Sequence, residues 1–386
     1  MTAISLVERR AILALASIFL LRMLGLFMIL PVFSLYANQL NYVTPTLVGV
    51  ALGVYGLTQA LFQIPFGMAS DRYGRKPLII FGLLLFGLGS VIAATSDSIY
   101  GVIMGRSLQG ASAIGCVIMA LVADLTRDEI RMRAMAVIGV TIGVSFALAF
   151  VVGPLVSEWA GIRGIFLITA VFSVLAILML VSMVPSPPRP SVEQSLIPVL
   201  ACIPKVLMLP ELRLLNFGVL VLHASLVALF LKVPGAVKAL GYTDNQTWQF
   251  YLPVFLCALL ATAPCLLMIE KKGWVKYGIA GLIGMLIISE LGILYFFKWK
   301  WGLALSLWLF FTAFNTLEAS LPSLVSRFAP AQLKGTALGI YSSAQFLGLF
   351  LGGVVGGCLD TYYGMVGVLT FCFTLAVVWL TWVFIF

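Results

Sequence analysis

Six ionisable residues interrupt long apolar stretches of this sequence. They are Arg22, Arg106, His223, Lys232, Glu290 and Glu318. A charge in an apolar environment is costly, so such residues are usually paired or take part in binding an ion or a substrate. A carboxyl or imidazole group in this setting can take up and release a proton, and a guanidinium group can hold an anion or pair with an acid.

Glu318 has a polar neighbour at helical spacing. Asn315 lies three residues earlier, so both side chains face the same side of a helix. Two interpretations stay open for Glu318: proton exchange or substrate contact, and a structural hydrogen bond to a neighbouring helix. The same choice applies to Glu290 and to His223, the one histidine of the chain. The long side chain of Lys232 is expected to reach the membrane surface.

The composition places these residues in a membrane protein. Apolar residues make up 62% of the 386 residues and charged residues 10%, whereas a soluble domain has about 25% charged residues. That is too little polar surface to cover a water-soluble globule of this size. The net charge of +9 would suggest nucleic acid in a soluble protein, and the apolar composition excludes this as the main interpretation.

Runs of about 20 apolar residues, the length needed to cross the hydrocarbon core, occur twelve times. They lie near 11–36, 46–68, 78–95, 99–123, 134–156, 164–184, 214–235, 248–269, 277–297, 301–325, 335–359 and 364–386. These runs are too long and too uniformly apolar for strands of a membrane barrel. The sequence therefore predicts an all-α membrane protein. The six cysteines show no metal-ligand spacing, so we expect neither a metal site nor a disulfide framework.

A proline-rich interruption divides the spans into six and six. It predicts an N-terminal six-helix bundle at 1–184, a cytoplasmic linker at 185–213 and a C-terminal six-helix bundle at 214–386. The halves share a weak similarity, because Arg133-Ala-Met-Ala opens the fifth span and Lys334-Gly-Thr-Ala opens the eleventh. Internal similarity of this kind is typical of repeat-built transporters.

The basic residues predict the orientation. If the N-terminus is cytoplasmic, the cytoplasmic segments carry sixteen Lys and Arg residues and the outer loops carry four. Basic residues concentrate on the cytoplasmic side of membrane proteins. We therefore expect a multi-pass protein of the cell membrane, in bacteria the inner membrane, with both termini in the cytoplasm.

The loop between spans two and three carries a motif with readable chemistry. It runs from Gly67 to Pro77 with the sequence GMASDRYGRKP. Gly74 suits a tight reversal, which often requires positive φ. Asp71 lies at the membrane edge, where an unpaired carboxylate is costly and needs a cation or a helix N-terminus as its partner.

This loop resembles motif A of the major facilitator superfamily, G-x-x-x-D-R-x-G-R-K. Three further segments resemble motifs of the twelve-span drug:proton antiporter branch: Arg106-Ser107-Leu108-Gln109-Gly110 (motif B), Leu24-Gly25 with Pro31-Val32 (motif D), and Gly153-Pro154 (end of motif C). The motif C match is partial, since Ser157-Glu158 stands where Gly-Gly is expected. This departure weakens the assignment of transport direction.

The resemblance implies the major facilitator fold, twelve transmembrane helices in two pseudo-symmetric six-helix bundles. It also implies a conformational latch that holds the cytoplasmic side shut in the outward-open state, with Asp71 docked near Gly335 at the start of span eleven. The latch residues would be Gly67, Asp71, Arg72, Gly74, Arg75, Lys76, Asp124, Arg131, Arg133 and Gly335. Alternatively, these charges only set the topology.

The resemblance further implies a proton-coupled secondary transporter working by alternating access, here an efflux antiporter for small amphipathic compounds. The candidates for proton coupling or substrate contact are Arg22, Arg106, His223, Glu290, Asn315 and Glu318, with Arg106 as a modulator of proton transfer. The expected cavity, between spans one, four, seven and ten, is lined by Phe27, Met28, Met104, Gln109, Phe230, Phe311 and Phe314. Ordinary helix packing is the alternative for each of these lining residues.

Other functions stay open at this point. A proton-driven symporter that imports a sugar or another metabolite fits the same motifs. A membrane enzyme is disfavoured because the sequence shows no zinc motif, nucleotide loop or nucleophile–base pair, and a channel is disfavoured because the pseudo-symmetry is internal. We expect a monomer that needs the bilayer, protons and a small-molecule substrate. No nucleic acid, metal or cofactor is expected, and the proton gradient would supply the driving force.

Overall fold

The computed structural model describes residues 5–185, 199–269, 275–330 and 333–385. These residues are almost entirely helical. Ten helices in these ranges are long and apolar enough to cross a membrane, and no β-strand longer than an isolated bridge occurs among them. The all-α membrane architecture predicted from the apolar runs is confirmed.

The first half contains seven helices. They are α1 Leu6–Phe27, α2 Phe33–Tyr36, α3 Pro45–Tyr73, α4 Arg75–Thr95, α5 Ile99–Ala111, α6 Gly115–Leu125 and α7 Asp128–Met183. The second half contributes six more. They are α8 Val199–Leu207, α9 Pro210–Ala239, α10 Trp248–Ile269, α11 Val275–Phe296, α12 Lys300–Phe328 and α13 Lys334–Ile385.

Two helices are long enough for two spans each. Helix α7 has 56 residues and α13 has 52. A straight helix of 56 residues would be about 84 Å long, well beyond a hydrocarbon core of about 30 Å. Each helix is broken at one glycine with positive φ, Gly161 (φ 60°) and Gly364 (φ 59°). The breaks give segments 128–160, 162–183, 334–363 and 365–385, so the described residues hold the twelve predicted spans.

Two predicted spans are less regular than expected. The first ends as a helix at Phe27, because Pro31, four residues later, has no N–H to donate to the Phe27 carbonyl and its ring crowds that carbonyl. The fourth is divided into α5 and α6 by the non-helical residues 112–114. Broken helices inside a membrane persist only where the freed backbone groups find other partners.

The described residues form two compact units. Unit 1 comprises 5–43 and 57–185, and unit 2 comprises 44–56 and 199–385. Less than half of the predicted linker 185–213, residues 186–198, falls outside the described residues. Its remainder includes helix α8 and the start of α9, so it contains more helix than its prolines suggest. The domain boundaries stay a prediction.

Each unit packs through its own helices. In unit 1, α1 packs against α7, and α4 packs against α5 and α7. In unit 2, α9 packs against α13, and α12 packs against α10 and α11. Many apolar side chains on the outer surfaces are exposed, including Leu260 at 77% and Val140 at 65%. Extensive exposed apolar surface is what a lipid-facing protein presents.

Candidate functional site

The motif A loop is a tight turn between two helices of unit 1. Helix α3 ends at Tyr73, Gly74 adopts φ 96°, and α4 begins at Arg75. This backbone conformation is costly for any residue with a Cβ atom. The predicted role of Gly74 in the reversal therefore agrees with the geometry of the turn.

Arg75 is the centre of the charges around this turn. Its guanidinium group forms an ion pair with Asp71, and its Nε atom donates to Asp124 Oδ2 at 3.1 Å. Its Nη1 atom also donates to Ser70 Oγ at 2.5 Å, and Ser70 donates to the carbonyl of Gly67 at 2.7 Å. The Arg75 side chain is only 15% exposed. One arginine thus joins the end of α3 to α6.

Two other contacts join helix ends of unit 1. Lys76 Nζ donates to the carbonyl of Val184 at 2.7 Å, at the end of α7. Glu8 in the first turn of α1 accepts from Arg127 Nε at 2.9 Å and Nη2 at 3.1 Å. This bidentate pair raises the pKa of the Arg127 guanidinium. Glu8 and Arg127 were missed by the sequence analysis because the motif does not include them.

Three residues of the predicted latch lie near the starts of α7 and α13. Helix α7 begins at Asp128, which places Arg131 and Arg133 in its first two turns, and Gly335 lies in the first turn of α13. The proposed contact between Asp71 and Gly335 involves both units and stays a prediction. Arg72 lies beside Tyr73, with its Cζ atom 5.5 Å from the ring centroid.

Arg22 lies in the interior of unit 1, where only 2% of it is exposed. Its Nη2 atom donates to Gln59 Oε1 at 3.0 Å and to the carbonyl of Ser112 at 3.5 Å. Ser112 is the first residue of the break between α5 and α6. The Ser112 carbonyl also accepts from the backbone N–H of Ile114 at 2.6 Å, so the buried cation is a second donor to a carbonyl of the broken helix.

Arg106 belongs to a second buried polar group in unit 1. Its Nη1 atom donates to Gln109 Oε1 at 3.0 Å, and Gln109 Nε2 donates to Ser90 Oγ at 2.8 Å. Ser90 donates in turn to the carbonyl of Phe86 at 2.8 Å. Gln109, predicted as a cavity residue, is 1% exposed and lies in this chain of hydrogen bonds between α5 and α4.

His223 and Glu318 come together in unit 2 through a residue that the sequence analysis missed. The side-chain nitrogen of Gln345 lies 2.9 Å from His223 Nε2 and donates to Glu318 Oε1 at 3.0 Å. His223 Nδ1 lies 3.1 Å from the carbonyl of Val219. Since a carbonyl only accepts, Nδ1 carries a proton and Nε2 accepts from Gln345.

The surroundings of this group are partly open and partly aromatic. The Glu318 side chain is 32% exposed, and its Oε2 atom lies 3.7 Å from His223 Nε2. The Phe314 ring lies 5.4 Å from the His223 ring. Tyr341, one turn before Gln345 on α13, places its hydroxyl within the electrostatic influence of Glu318. Tyr341 and Gln345 are polar residues at helical spacing, a signal that could have predicted their shared face.

Glu290 lies apart from this group. It is 1% exposed, and both its carboxyl oxygens lack a hydrogen-bond partner within the described residues. The side chain of Ser225 on α9 faces it without forming a hydrogen bond of normal geometry. Asn315 is half-buried on α12, and its Nδ2 atom also has no partner within the described residues.

Lys232 has a partner that the sequence analysis did not assign. Its Nζ atom lies 2.7 Å from Asp360 Oδ1. Asp360 comes just after the predicted span 335–359 and lies within helical segment 334–363. The ion pair links α9 to α13, so Lys232 is held by an acid in addition to any contact with the membrane surface.

The predicted cavity residues have varied surroundings. Phe27 packs edge-to-face on Phe146, with ring centroids 5.0 Å apart, and Phe311 packs on Phe255 at 5.4 Å. The others range from fully buried to exposed: Met28 0%, Phe230 3%, Phe314 9% and Met104 54% exposed. Their place around a cavity shared by both halves stays a prediction.

Comparison with known proteins decides the family. A sequence profile described as the Major Facilitator Superfamily matches residues 15–353. The chain belongs to the Major Facilitator Superfamily. The expected resemblance is confirmed, and with it the superfamily fold.

Relatives and solved structures support the same conclusion. The chain is 43% identical to the inner membrane transport protein YajR of Escherichia coli (strain K12) over 374 residues, 97% of this chain and 82% of the relative. A shorter match, 32% identical over 114 residues, is to the class B tetracycline resistance protein of Escherichia coli and covers 29% of this chain and 27% of the relative. The crystal structure of a bacterial homolog to the human lysosomal transporter Spinster has a TM-score of 0.79 at 15% identity, covering 99% of this chain and 97% of that one.

The family also settles the class of activity. The superfamily consists of transporters, and the similar proteins are named as transporters, so the chain is a transporter rather than an enzyme. Its long apolar helices and its inner-membrane relative make it a multi-pass protein of the bacterial inner membrane.

Proposed function

We propose that this superfamily member is a proton-coupled secondary transporter that exports small amphipathic compounds by alternating access. The observation that carries the proposal is the contact of His223 and Glu318 with a single amide group, that of Gln345. A proton-coupled site needs a group that binds and releases a proton. It also needs contacts that change when the proton binds.

The contacts of His223 would change in this way when its imidazole takes up a proton. In the neutral form, Nε2 accepts from Gln345. Protonation would place an N–H group at Nε2, facing the two donors of the amide, and this contact becomes repulsive. Glu318 Oε2, 3.7 Å away, is then the favoured partner of the imidazolium. Proton uptake therefore exchanges an amide contact to α13 for an ion pair with α12.

Glu318 also suits a substrate with positive charge. Its carboxylate is partly exposed, and Phe314 lies one turn away on the same helix, with its ring near His223. A carboxylate beside an aromatic ring binds amphipathic cations well. Competition of proton and substrate for this group would give antiport. The short match to a tetracycline resistance protein is a further support for export.

Residues outside this group have proposed roles of their own. Arg22 and Arg106 remain proposed contributors to proton transfer or substrate contact, each held by neutral partners such as Gln59 and Gln109. The motif A residues around Arg75 are proposed to form the latch of the cytoplasmic side. The orientation with both termini in the cytoplasm, the monomeric state and the drive by the proton gradient belong to the same proposal.

The test uses purified protein in liposomes with an imposed pH gradient and a panel of cationic dyes and sugars. We expect dye to move against the direction of the proton flux, and Glu318→Gln to abolish this movement. Glu211→Gln serves as the matched control, because Glu211 is an exposed acid in the first turn of α9. Sugar uptake together with protons would favour the symporter. Dye or sugar transport that does not depend on the pH gradient would contradict proton coupling.

A further inference from the structure

Glu290 is the centre of a buried group that the proposed transport site does not use. Ser225 on α9 faces its carboxyl group, and Cys372 in segment 365–385 lies within electrostatic reach of both. The three residues are 1%, 1% and 0% exposed, respectively. They come from three different helices and meet in the interior of unit 2.

Among the residues that the structure describes, no cation forms an ion pair with this carboxyl group. Both of its oxygens, and the Ser225 hydroxyl, lack hydrogen-bond partners within the described residues. An ionised carboxylate buried in this way is strongly disfavoured unless it is paired and hydrogen-bonded. The neutral acid is the form that suits such surroundings.

Four charged or titratable groups on α9 and α13 have neighbours other than Glu290. His223 contacts Gln345, and Lys232 pairs with Asp360. Lys238 pairs with Asp244. Tyr341 lies near Glu318. On these two helices, Cys372 is the titratable group that faces Glu290.

The helices α10 and α12 offer no counter-charge either, within the described residues. Tyr251 of α10 packs against Phe230 and Phe250. On α12, Glu318 accepts from Gln345, whereas Lys300 and Arg327 lie in the first and last turns of the helix. The α12 residue that approaches α11 near the acid is Ser306, opposite Gly292.

We propose that Glu290, Ser225 and Cys372 form a second proton-binding site, separate from the His223–Glu318 group, and that its proton holds α11 against α9 and α13. The ligand is a proton rather than a metal ion. Hard cations need several oxygen ligands, whereas here one hydroxyl and a thiol face the carboxyl group, and Cys372 packs against Ala228 and Val368.

Loss of this proton would leave a charge that the packed helices cannot stabilise. The packing described above accommodates the neutral acid and not its anion, so the stabilising effect of the proton is present at acidic pH and is lost as the pH rises. Deprotonation therefore favours separation of the helices and entry of water. The site therefore keeps the helices of unit 2 packed at acidic pH and lets them separate at alkaline pH.

Cys372 is a reporter for this opening. The experiment uses the full chain with Cys372 as its single cysteine, the other five being replaced by alanine, in liposomes. Labelling by N-ethylmaleimide is measured from about pH 6 to about pH 9 in this background and with Glu290→Gln added. The second variant keeps the shape of the neutral acid, and the comparison cancels the thiol's own dependence on pH.

At alkaline pH we expect several-fold faster labelling with Glu290 than with Glu290→Gln, and equal rates at acidic pH. Equal rates throughout would overturn the proposal. Slower labelling with Glu290 would also overturn it, because a nearby carboxylate without opening disfavours the thiolate. Glu211→Gln should follow the parent.

A second measurement guards against failure of the single-cysteine protein to fold. In the protein with all its native cysteines, the thermal unfolding midpoint should fall by several degrees between acidic and alkaline pH, and Glu290→Gln should remove most of this fall. An identical fall of the unfolding midpoint in both proteins would contradict the proposed proton-binding site. Neither measurement involves transport, so its outcome is separate from that of the proposed function.

Discussion

The side-chain nitrogen of Gln345 lies 2.9 Å from His223 Nε2, across the contact between α13 and α9. The same nitrogen donates to Glu318, so one neutral amide stands between an imidazole and a carboxylate. This position makes Gln345 a positioning residue for proton coupling.

Replacement of Gln345 by alanine should bring His223 and Glu318 into direct contact. An imidazolium is better stabilised by a carboxylate than by an amide donor, so we expect the pH profile of transport to shift toward higher pH. The check is dye transport at a series of pH values. Ser343→Ala, on the same helix, should leave the profile in place. If Gln345→Ala had the same pH profile of transport as the wild type, the Gln345 amide would have no role in proton coupling.

Arg75→Ala should destabilise unit 1 by about 1–2 kcal/mol, since it removes charge-assisted hydrogen bonds to two acids and Ser70. Arg75→Lys should recover only part of this loss, because a lysine cannot hold several partners with a planar fork. Chemical denaturation in detergent measures both. Arg9→Ala changes an exposed arginine and is the control. Equal stability of all variants would show that the charges around the turn are not held by Arg75.

Gln109→Leu should cost about 2–4 kcal/mol of unfolding free energy. It removes one acceptor of Arg106 and the donor to Ser90 in a buried setting, and loss of a hydrogen bond to a buried cation is costly. Ser90→Ala should cost about 1 kcal/mol, because the remaining amide donor is neutral. Thermal denaturation ranks the two variants, and the reverse order would contradict the arrangement of this hydrogen-bond chain.

Gly353→Ala should be far more disruptive than Gly339→Ala on the same helix. Both residues are in unit 2, where Gly49 also lies. A Cβ atom on Gly353 would approach the Gly49 carbonyl oxygen to 2.3 Å, whereas a Cβ on Gly339 meets nothing within 4 Å. Overpacking of this kind costs about 1–3 kcal/mol or more. Expression level and thermal stability measure the difference, and similar values would show that this close approach does not occur in the membrane.

Much of the fold could be predicted because the features that indicate it are continuous segments of the sequence. Apolar runs of about 20 residues predict spans, and the glycine of the motif A turn predicts the reversal between α3 and α4. The breaks at Ser112 and Phe27 could not be predicted from apolar runs, since hydropathy does not register a local loss of helical hydrogen bonds. Their partners, such as Arg22, come from distant parts of the chain.

The candidate sites were predicted less completely, for a different physical reason. Ionisable residues in apolar runs are conspicuous, so His223, Glu290 and Glu318 were found. Gln345 is neutral and tolerated in a span, and its importance lies in the partners that tertiary packing provides. The same holds for Lys232, whose pairing with Asp360 depends on the contact of α9 with α13.

The transported compound is proposed to displace a proton from the group formed by His223 and Glu318. The most direct measurement is proton release from purified protein in weakly buffered detergent solution when a transported cationic dye is added. We predict a stoichiometric release from the wild type and from Glu211→Gln, and none from Glu318→Gln or His223→Gln. Release of the same size from all four proteins would contradict the account.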